Sequence, residues 1–489
     1  MRVAYQAGVI RALNEAGLHF FHADGTSGGT INLAMLLSGL SPVEMCDRWR
    51  TLRVQDFVTL LPFRKYLDAP HLPALGDARG IINDVFPHLG IDIARINAAR
   101  DPVGTFNVCN YTHKTNEVIS NEKIDRDLLV AGISLPITLP PVPRNECLYV
   151  DSVWIQDANC MEAVRRGADE IWLVWCIGNH GCYRNGAFDQ YVHMIELSAN
   201  GKLFQEFEQI NHVNRLILAG VTGEAVYGHQ RPISLHVIRP EYPLPLDPEF
   251  FFNRIDASTL IDMGYSDAWR YLRQCDGNGV QATPQATRMR DPQIGIMFRE
   301  QMSGAFSLGQ VDPETGASSG HASNTTLAMR GTVSIDDLEQ FIADPNHAGR
   351  LTGEIDFAPL GLGLPAKTGI FNLFSPSGDS HTKYMVYELG FSAGGSDYYL
   401  AGKKLVKDDP LAEMWSETTS LFTVLHEGPD STGRVVGAGI LHLSLLGLLR
   451  MIPTMTVLNA ASLSEKTTAL GKFGRFFAGQ LYDSYVKGN

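Results

Sequence analysis

The residue pattern in this 489-residue chain most able to do covalent chemistry is a serine set in Gly-x-Ser-x-Gly, and it occurs three times. The copies are Gly25-Thr26-Ser27-Gly28-Gly29, Gly316-Ala317-Ser318-Ser319-Gly320 and Gly390-Phe391-Ser392-Ala393-Gly394. A serine hydroxyl becomes a useful nucleophile when a base takes its proton. On a tight turn between a strand and a helix, that hydroxyl stands clear of the sheet and the helix N-terminus favours developing negative charge. A chain with 47 glycines produces the pattern by chance, so context decides. The second copy reads as a Ser/Thr/Gly-rich loop with no strand leading in. The third follows a strand but runs into Gly395-Ser396-Asp397 and another strand, which is hairpin chemistry. Only at Ser27 do strand (Leu18 to Ala23), small-residue turn and helix (Ile31 to Leu37) follow in order. The plain alternative there is a tight glycine turn with no chemistry.

The elements that must carry Ser27 are those of an α/β domain. Val3, Ala4, Ala7, Val9, Ile10 and Leu13 recur at helical spacing, and Gly17 supplies a C-terminal cap. Ile171 to Cys176 is a continuous apolar run, the pattern of a strand inside a parallel sheet covered on both faces. After residue 275 the pattern changes. Residues 276–290 are poor in apolar side chains and read as a linker. Residues 291–489 hold short segments rich in β-branched and aromatic residues: Thr325–Ile335, Thr352–Phe357, Lys383–Phe391, Tyr398–Val406, Leu421–His426 and Arg434–Ser444. They predict an all-β sandwich or barrel, with helices near Asp336–Ile342 and Lys472–Tyr485.

Composition narrows the function classes. A net charge of −13 and no basic run exclude a nucleic-acid partner. Seven scattered cysteines without a CxxC pair speak against a structural zinc site or a disulfide framework, and for a reducing, cytoplasmic compartment. Met1-Arg2-Val3 leads into an amphipathic pattern and not into the apolar core of a signal peptide. The apolar stretch Val435 to Leu449 is too short to cross a bilayer, which leaves peripheral contact as the membrane option. His22, His180 and His193 read as ordinary surface or core histidines, and Asp336-Asp337 with Glu339 as helix-start acidity. No metal or cofactor is expected.

Several segments, in order, resemble the patatin-like phospholipases. Gly25-Thr26-Ser27-Gly28-Gly29-Thr30-Ile31-Asn32 resembles their nucleophile segment, and Arg2 to Leu13 their first helix. Ala131-Gly132-Ile133-Ser134-Leu135-Pro136, Leu139-Pro140-Pro141-Val142 and Leu148-Tyr149-Val150-Asp151 resemble the approach to the family's catalytic aspartate. The likeness extends over residues 1–275, ending near Leu260 to Tyr265. It implies a three-layer α/β/α domain with a mostly parallel sheet, and a Ser–Asp dyad without histidine. Ser27 is then the nucleophile and Asp151 the base, acting on lipid esters through an acyl-enzyme. Without the resemblance, Asp151 reads as a turn or N-cap aspartate, and a Ser-His-Asp triad using His212 or His229 stays open.

Two positions depart from the family. Ser152 follows Asp151 where glycine is usual, and Val3 stands where another glycine of the oxyanion run is usual. Of that run the chain keeps only the basic residue, Arg2. The resemblance thus leaves two expectations: an active enzyme whose translation starts upstream of Met1, or a catalytically impaired lipid-binding scaffold.

Residues 291–489 are similar to an accessory β-rich domain that accompanies some bacterial glucose–methanol–choline-type, cholesterol-oxidase-like oxidoreductases. The matching stretches are Phe298 to Gly304, Leu351-Thr352-Gly353, Phe371 to Phe374 and Gly474 to Gly479. No dinucleotide fingerprint accompanies them, so redox chemistry is not implied. A β-domain of this kind holds a lipid or sterol ester, docks to a membrane, or serves structure and dimerisation.

Overall fold

The computed structural model describes residues 2–53, 57, 59–61, 63–66, 72, 74–244, 256–377, 382–407, 420–443 and 454–486. The chain divides into two units, Met1–Asp291 and Pro292–Asn489.

In the first unit, helix α1 (Ala4–Glu15) precedes strand β1 (His22–Gly25), which turns into helix α2 (Gly28–Leu37). Strand β2 (Val103–Asn110) runs parallel to β1, and β3 (Thr115–Ser120) returns antiparallel along the other edge of β2. Strand β4 (Val142–Arg144) pairs with β5 (Cys147–Asp151), and β5 lies antiparallel to β2. Because β3 occupies one edge of β2, β1 and β5 share the other. They approach each other head-on along it. β1 ends with Gly25 opposite Phe106, β5 ends with Asp151 opposite Val108, and Asn107 fills the gap. This meeting of two strand ends is what can bring residues 27 and 151 together.

The expected mostly parallel sheet needs correction. Of the four pairings in this sheet only β1–β2 is parallel. The tight connection from Asn110 to Thr115 forces β3 to run back against β2, as hairpins do. A second parallel pair, β6 (Glu170–Val174) with β7 (Ser234–Ile238), forms a separate two-stranded sheet among the described residues. Around it, the long helix α4 (Ala187–Leu218; α3 is Pro42–Thr51) buries Leu203, Phe207 and Ile210 against Ile171, Trp175 and Val237. Helix α5 (Ala257–Gln274) follows. Residues 276–290 pack with this unit: Ala282, Thr287 and Met289 are buried, and Val280 N–H donates to the Leu235 carbonyl at 2.7 Å.

The second unit is a closed barrel, which decides between the two expected all-β forms. Its eight antiparallel strands are β8 (Gly295–Leu308), β9 (Thr326–Ile335), β10 (Ala348–Phe357), β11 (Gly361–Pro376), β12 (Thr382–Ala393), β13 (Ser396–Lys407), β14 (Ser420–Glu427) and β15 (Arg434–His442). Each pairs with the next, and β8 closes the ring by pairing with both β9 and β15. Phe306, Phe357, Phe371 and Phe391 fill the core. The expected short helix is Leu338–Ala343, capped by Asp337, and the terminal one is Leu463–Val486.

The second serine motif is not a loop. It lies within helix α6 (Pro313–Ser323), capped by Asp312. Its glycines let the helix press against barrel backbone. A Cβ on Gly316 would sit 2.1 Å from the Ala438 carbonyl oxygen, and one on Gly320 would sit 2.4 Å from Phe306 N. The third motif ends in the turn joining β12 to β13, where Gly394 and Gly395 have φ of 58° and 82°. Among the described residues, no helix is long and apolar enough to cross a membrane.

Candidate active site

Ser27 sits at the turn from β1 into α2 with φ 52° and ψ −128°. A non-glycine residue there is strained by about 1–3 kcal/mol, and such strain collects where a side chain must be aimed. The turn is fixed by Gly29 N–H donating to the Thr26 carbonyl at 2.8 Å and Thr30 N–H to the Ser27 carbonyl at 3.0 Å. Gly28 admits no side chain, since a Cβ would lie 2.0 Å from Cγ1 of Val3.

The Ser27 hydroxyl donates to Asp151 Oδ2 at 2.7 Å. Asp151 Oδ1 accepts the Val153 N–H at 2.9 Å, so the same carboxylate also caps the short 3-10 turn Ser152–Trp154. The cap expected of an aspartate here is therefore present, and it leaves Oδ2 to Ser27. Asp151 is fully buried, and burial raises its pKa to about 7 against the opposing hydrogen bonds from Ser27 and Val153. Ser152 fits without glycine's freedom: its φ is not positive, and its hydroxyl donates to Asn116.

Two buried asparagines hold this geometry, and sequence reasoning gave neither a role. Asn107, in the gap between the two strand ends, donates to Asp24 Oδ1 at 2.6 Å and to Thr26 Oγ1 at 2.9 Å. Its oxygen accepts from Asn116 and from Asn159. It therefore ties the strand before Ser27 to the region around Asp151. Asn32 donates to the Val3 carbonyl at 2.8 Å and to Gln6, and accepts from Trp49, which locks the start of α1 onto α2. A polar residue in an apolar helical run such as Ile31 to Leu37 was the available signal.

Ser27 and Asp151 line a cavity of about 1130 Å³. Ile31, Leu135, Leu139, Tyr191 and Ile195 line it, together with residues of both β1 and β6. Trp172, Leu173 and Val174 are consequently only half-buried, although their apolar run read as covered on both faces. Asp157 lines the same cavity, its pKa pushed up to about 8 by burial and by the neighbouring Asp151. Arg2 also reaches it, with its guanidinium 4.0 Å from Glu196.

Among the described residues, the hydrogen bonds of His229 and His22 go to groups other than Ser27, whose hydroxyl is given to Asp151. His229 is held between Asp169, at 2.6 Å, and the Val164 carbonyl, at 2.8 Å. His22 pairs with Thr105, and burial lowers its pKa to about 4. Three groups able to bind a metal do converge elsewhere: His180, Cys182 and Asp291 have donor atoms within 4.8 Å of one another. The cluster holds no CxxC pair, and its signal in the sequence is the His-x-Cys spacing, with its third member far along the chain.

Residues 1–164, which include both Ser27 and Asp151, match the model of the patatin-like phospholipase family. That region is thus similar to a class of lipid hydrolases. No curated protein matches the chain. Among solved structures, VipD from Legionella pneumophila is similar at 11% identity over 56% of this chain and 65% of its own, with a TM-score of 0.28. The likeness is too remote to carry an argument.

Proposed function

We propose that this protein hydrolyses carboxylic esters of lipids with Ser27 as nucleophile and Asp151 as general base. The observation that carries the reading is the 2.7 Å hydrogen bond between them at a strained strand-to-helix turn facing an apolar cavity. Ser27 Oγ bonds to the ester carbonyl carbon while its proton passes to Asp151 Oδ2. The tetrahedral oxyanion faces the N-terminus of α2, where the Gly28 N–H is the nearest donor by chain position. Collapse expels the alcohol, which takes the proton from Asp151 and leaves an acyl-serine. Water, deprotonated by Asp151, then releases the fatty acid and restores the hydroxyl. The cavity accepts the acyl chain, and no cofactor takes part.

Exposed apolar side chains support contact with a lipid surface. Ile137 is 61% and Phe188 52% exposed. Leu75, 49% exposed, donates its N–H to the Ile137 carbonyl, and the Tyr191 hydroxyl, three residues beyond Phe188, donates to the Pro136 carbonyl, so the segments bearing these side chains adjoin. Seven free thiols support a reducing, cytoplasmic setting.

A second reading, an impaired lipid-binding scaffold, is favoured by one observation: Val3 packs directly over Gly28, where a donor must meet the oxyanion. Incubating the chain with a long-chain p-nitrophenyl ester separates the two. Release of p-nitrophenol with an acyl adduct on Ser27 by mass spectrometry supports the enzyme. Saturable binding of the ester without release supports the scaffold.

A further inference from the structure

The loop after β6 gathers side chains that the hydrolytic reading does not use. Among them His180 is the informative one. Its side chain is 9% exposed, and its Nδ1 is buried without a hydrogen-bond partner. Leaving a buried polar atom so costs about 1–3 kcal/mol, so the position calls for an occupant. The other ring nitrogen, Nε2, lies 3.6 Å from Glu196 Oε2. Histidines that ligate metals turn their second nitrogen toward a carboxylate in this way, which fixes the tautomer and aims the free lone pair. Cys182 is a free thiol. Asp291 is held toward the loop by the Gly181 N–H at 2.6 Å and by Arg288 at 3.3 Å.

We infer that His180 Nδ1, Cys182 Sγ and the Asp291 carboxylate bind one Zn²⁺. A thiolate, an imidazole and a carboxylate together suit zinc, whereas calcium and magnesium require oxygen donors. Bonds of about 2.0–2.3 Å place tetrahedral ligands roughly 3.3–3.8 Å apart. His180, Cys182 and Asp291 already each place one donor atom within 4.8 Å of the others, so small side-chain adjustments bring them to ligand spacing. On binding, the Cys182 thiol gives its proton to solvent, and His180 keeps its proton on Nε2, toward Glu196. The ion's two positive charges then balance the thiolate and the carboxylate, and water takes the fourth position. The site clips the loop at residues 180–182 to Asp291. Glu196 also faces His193, at 3.4 Å, and Arg2, at 4.0 Å, so the ion steadies the carboxylate that steadies Arg2. The inference does not depend on the hydrolytic reading.

The full chain, stripped with EDTA and dialysed against Zn²⁺ or Co²⁺, tests this. One equivalent of bound zinc by mass spectrometry is expected, with a thiolate-to-cobalt charge-transfer band in the cobalt form. Both disappear in Cys182→Ser and His180→Gln and persist in Cys147→Ser, a second partly exposed thiol. Glu196→Gln weakens zinc about 10–100-fold, as loss of an outer partner does. Circular dichroism establishes that each variant is folded, and should His180→Gln unfold, Cys182→Ser decides. Folded wild-type chain that takes up no stoichiometric zinc, or folded Cys182→Ser that keeps the cobalt band, overturns the site.

Discussion

Ser27 and Ser392 share more than a motif. Both lie in Gly-x-Ser-x-Gly, and both donate their hydroxyl to an aspartate, Asp151 in one case and Asp397 in the other. What differs is the base. Asp397 is on a hairpin with its side chain 48% exposed, and hydrogen bonding from Ser392 and the cation of Lys367 hold its carboxyl below the usual range. Asp151 is wholly buried and is pushed up to about 7. The exposed pair has a weak base and a relaxed serine. The buried pair has a base poised near neutrality and a serine in a strained conformation. A serine motif with an aspartate in reach does not by itself single out a site; on the proposed reading, desolvation of the carboxylate and the turn beneath the serine separate the two.

The largest expected contrast is between the serines themselves. Ser27→Ala lowers ester turnover by at least about 10³-fold, while Ser392→Ala leaves it unchanged. Next come the bases. Asp151→Asn lowers kcat by about 10²–10⁴-fold and Asp397→Asn has no effect, both read from initial rates on a p-nitrophenyl ester.

The pH dependence sharpens the same comparison. A base must be ionised to act, so kcat/KM rises with pH through about 7, falls about tenfold per unit below it and is flat above. The stability effect has the opposite sign. With a folded pKa above the unfolded one, Asp151 costs nothing below about pH 4, where both states hold the proton. The penalty grows from pH 4 to about 7 and is complete above. The Tm of Asp151→Asn therefore exceeds that of the wild type by several degrees at pH 8 and equals it at pH 4. The corresponding gain is absent in Asp397→Asn, because the Asp397 pKa is lowered and not raised. Asn107→Leu tests the frame around the buried pair and is read in stability alone. It strands the buried partners Asp24, Thr26 and Asn159 and destabilises the fold by about 3 kcal/mol in urea unfolding.

Much of this was legible in the sequence, for identifiable reasons. Ser27 stood out because strand, turn and helix surround it, and all three are local signals. Six of the eight barrel strands are legible as β-branched and aromatic runs between turn residues; β8 and β11 are not, and β11 is broken up in sequence by Gly361, Gly363, Pro365 and Gly369. Whether they close into a barrel depends on β8 pairing with both β9 and β15, a long-range pairing that local patterns do not encode. The antiparallel return of β3 went unread because Thr115 to Ser120 is polar and half-exposed, without the apolar signature of a covered strand. The helix over the second motif was missed although Asp312-Pro313 is a proper helix start. Asn107 was invisible because its importance lies in four partners from three separate segments.

The central claim is that burial of Asp151 beside a strained Ser27 makes a nucleophile. Fluorophosphonate labelling of the purified chain, with the modified residue mapped by mass spectrometry, tests it most directly. The account predicts a single adduct on Ser27, weakened in Asp151→Asn and below pH 6, with Ser392 unmodified. No adduct on Ser27 in folded protein at pH 8, or equal labelling of Ser27 and Ser392, would contradict it.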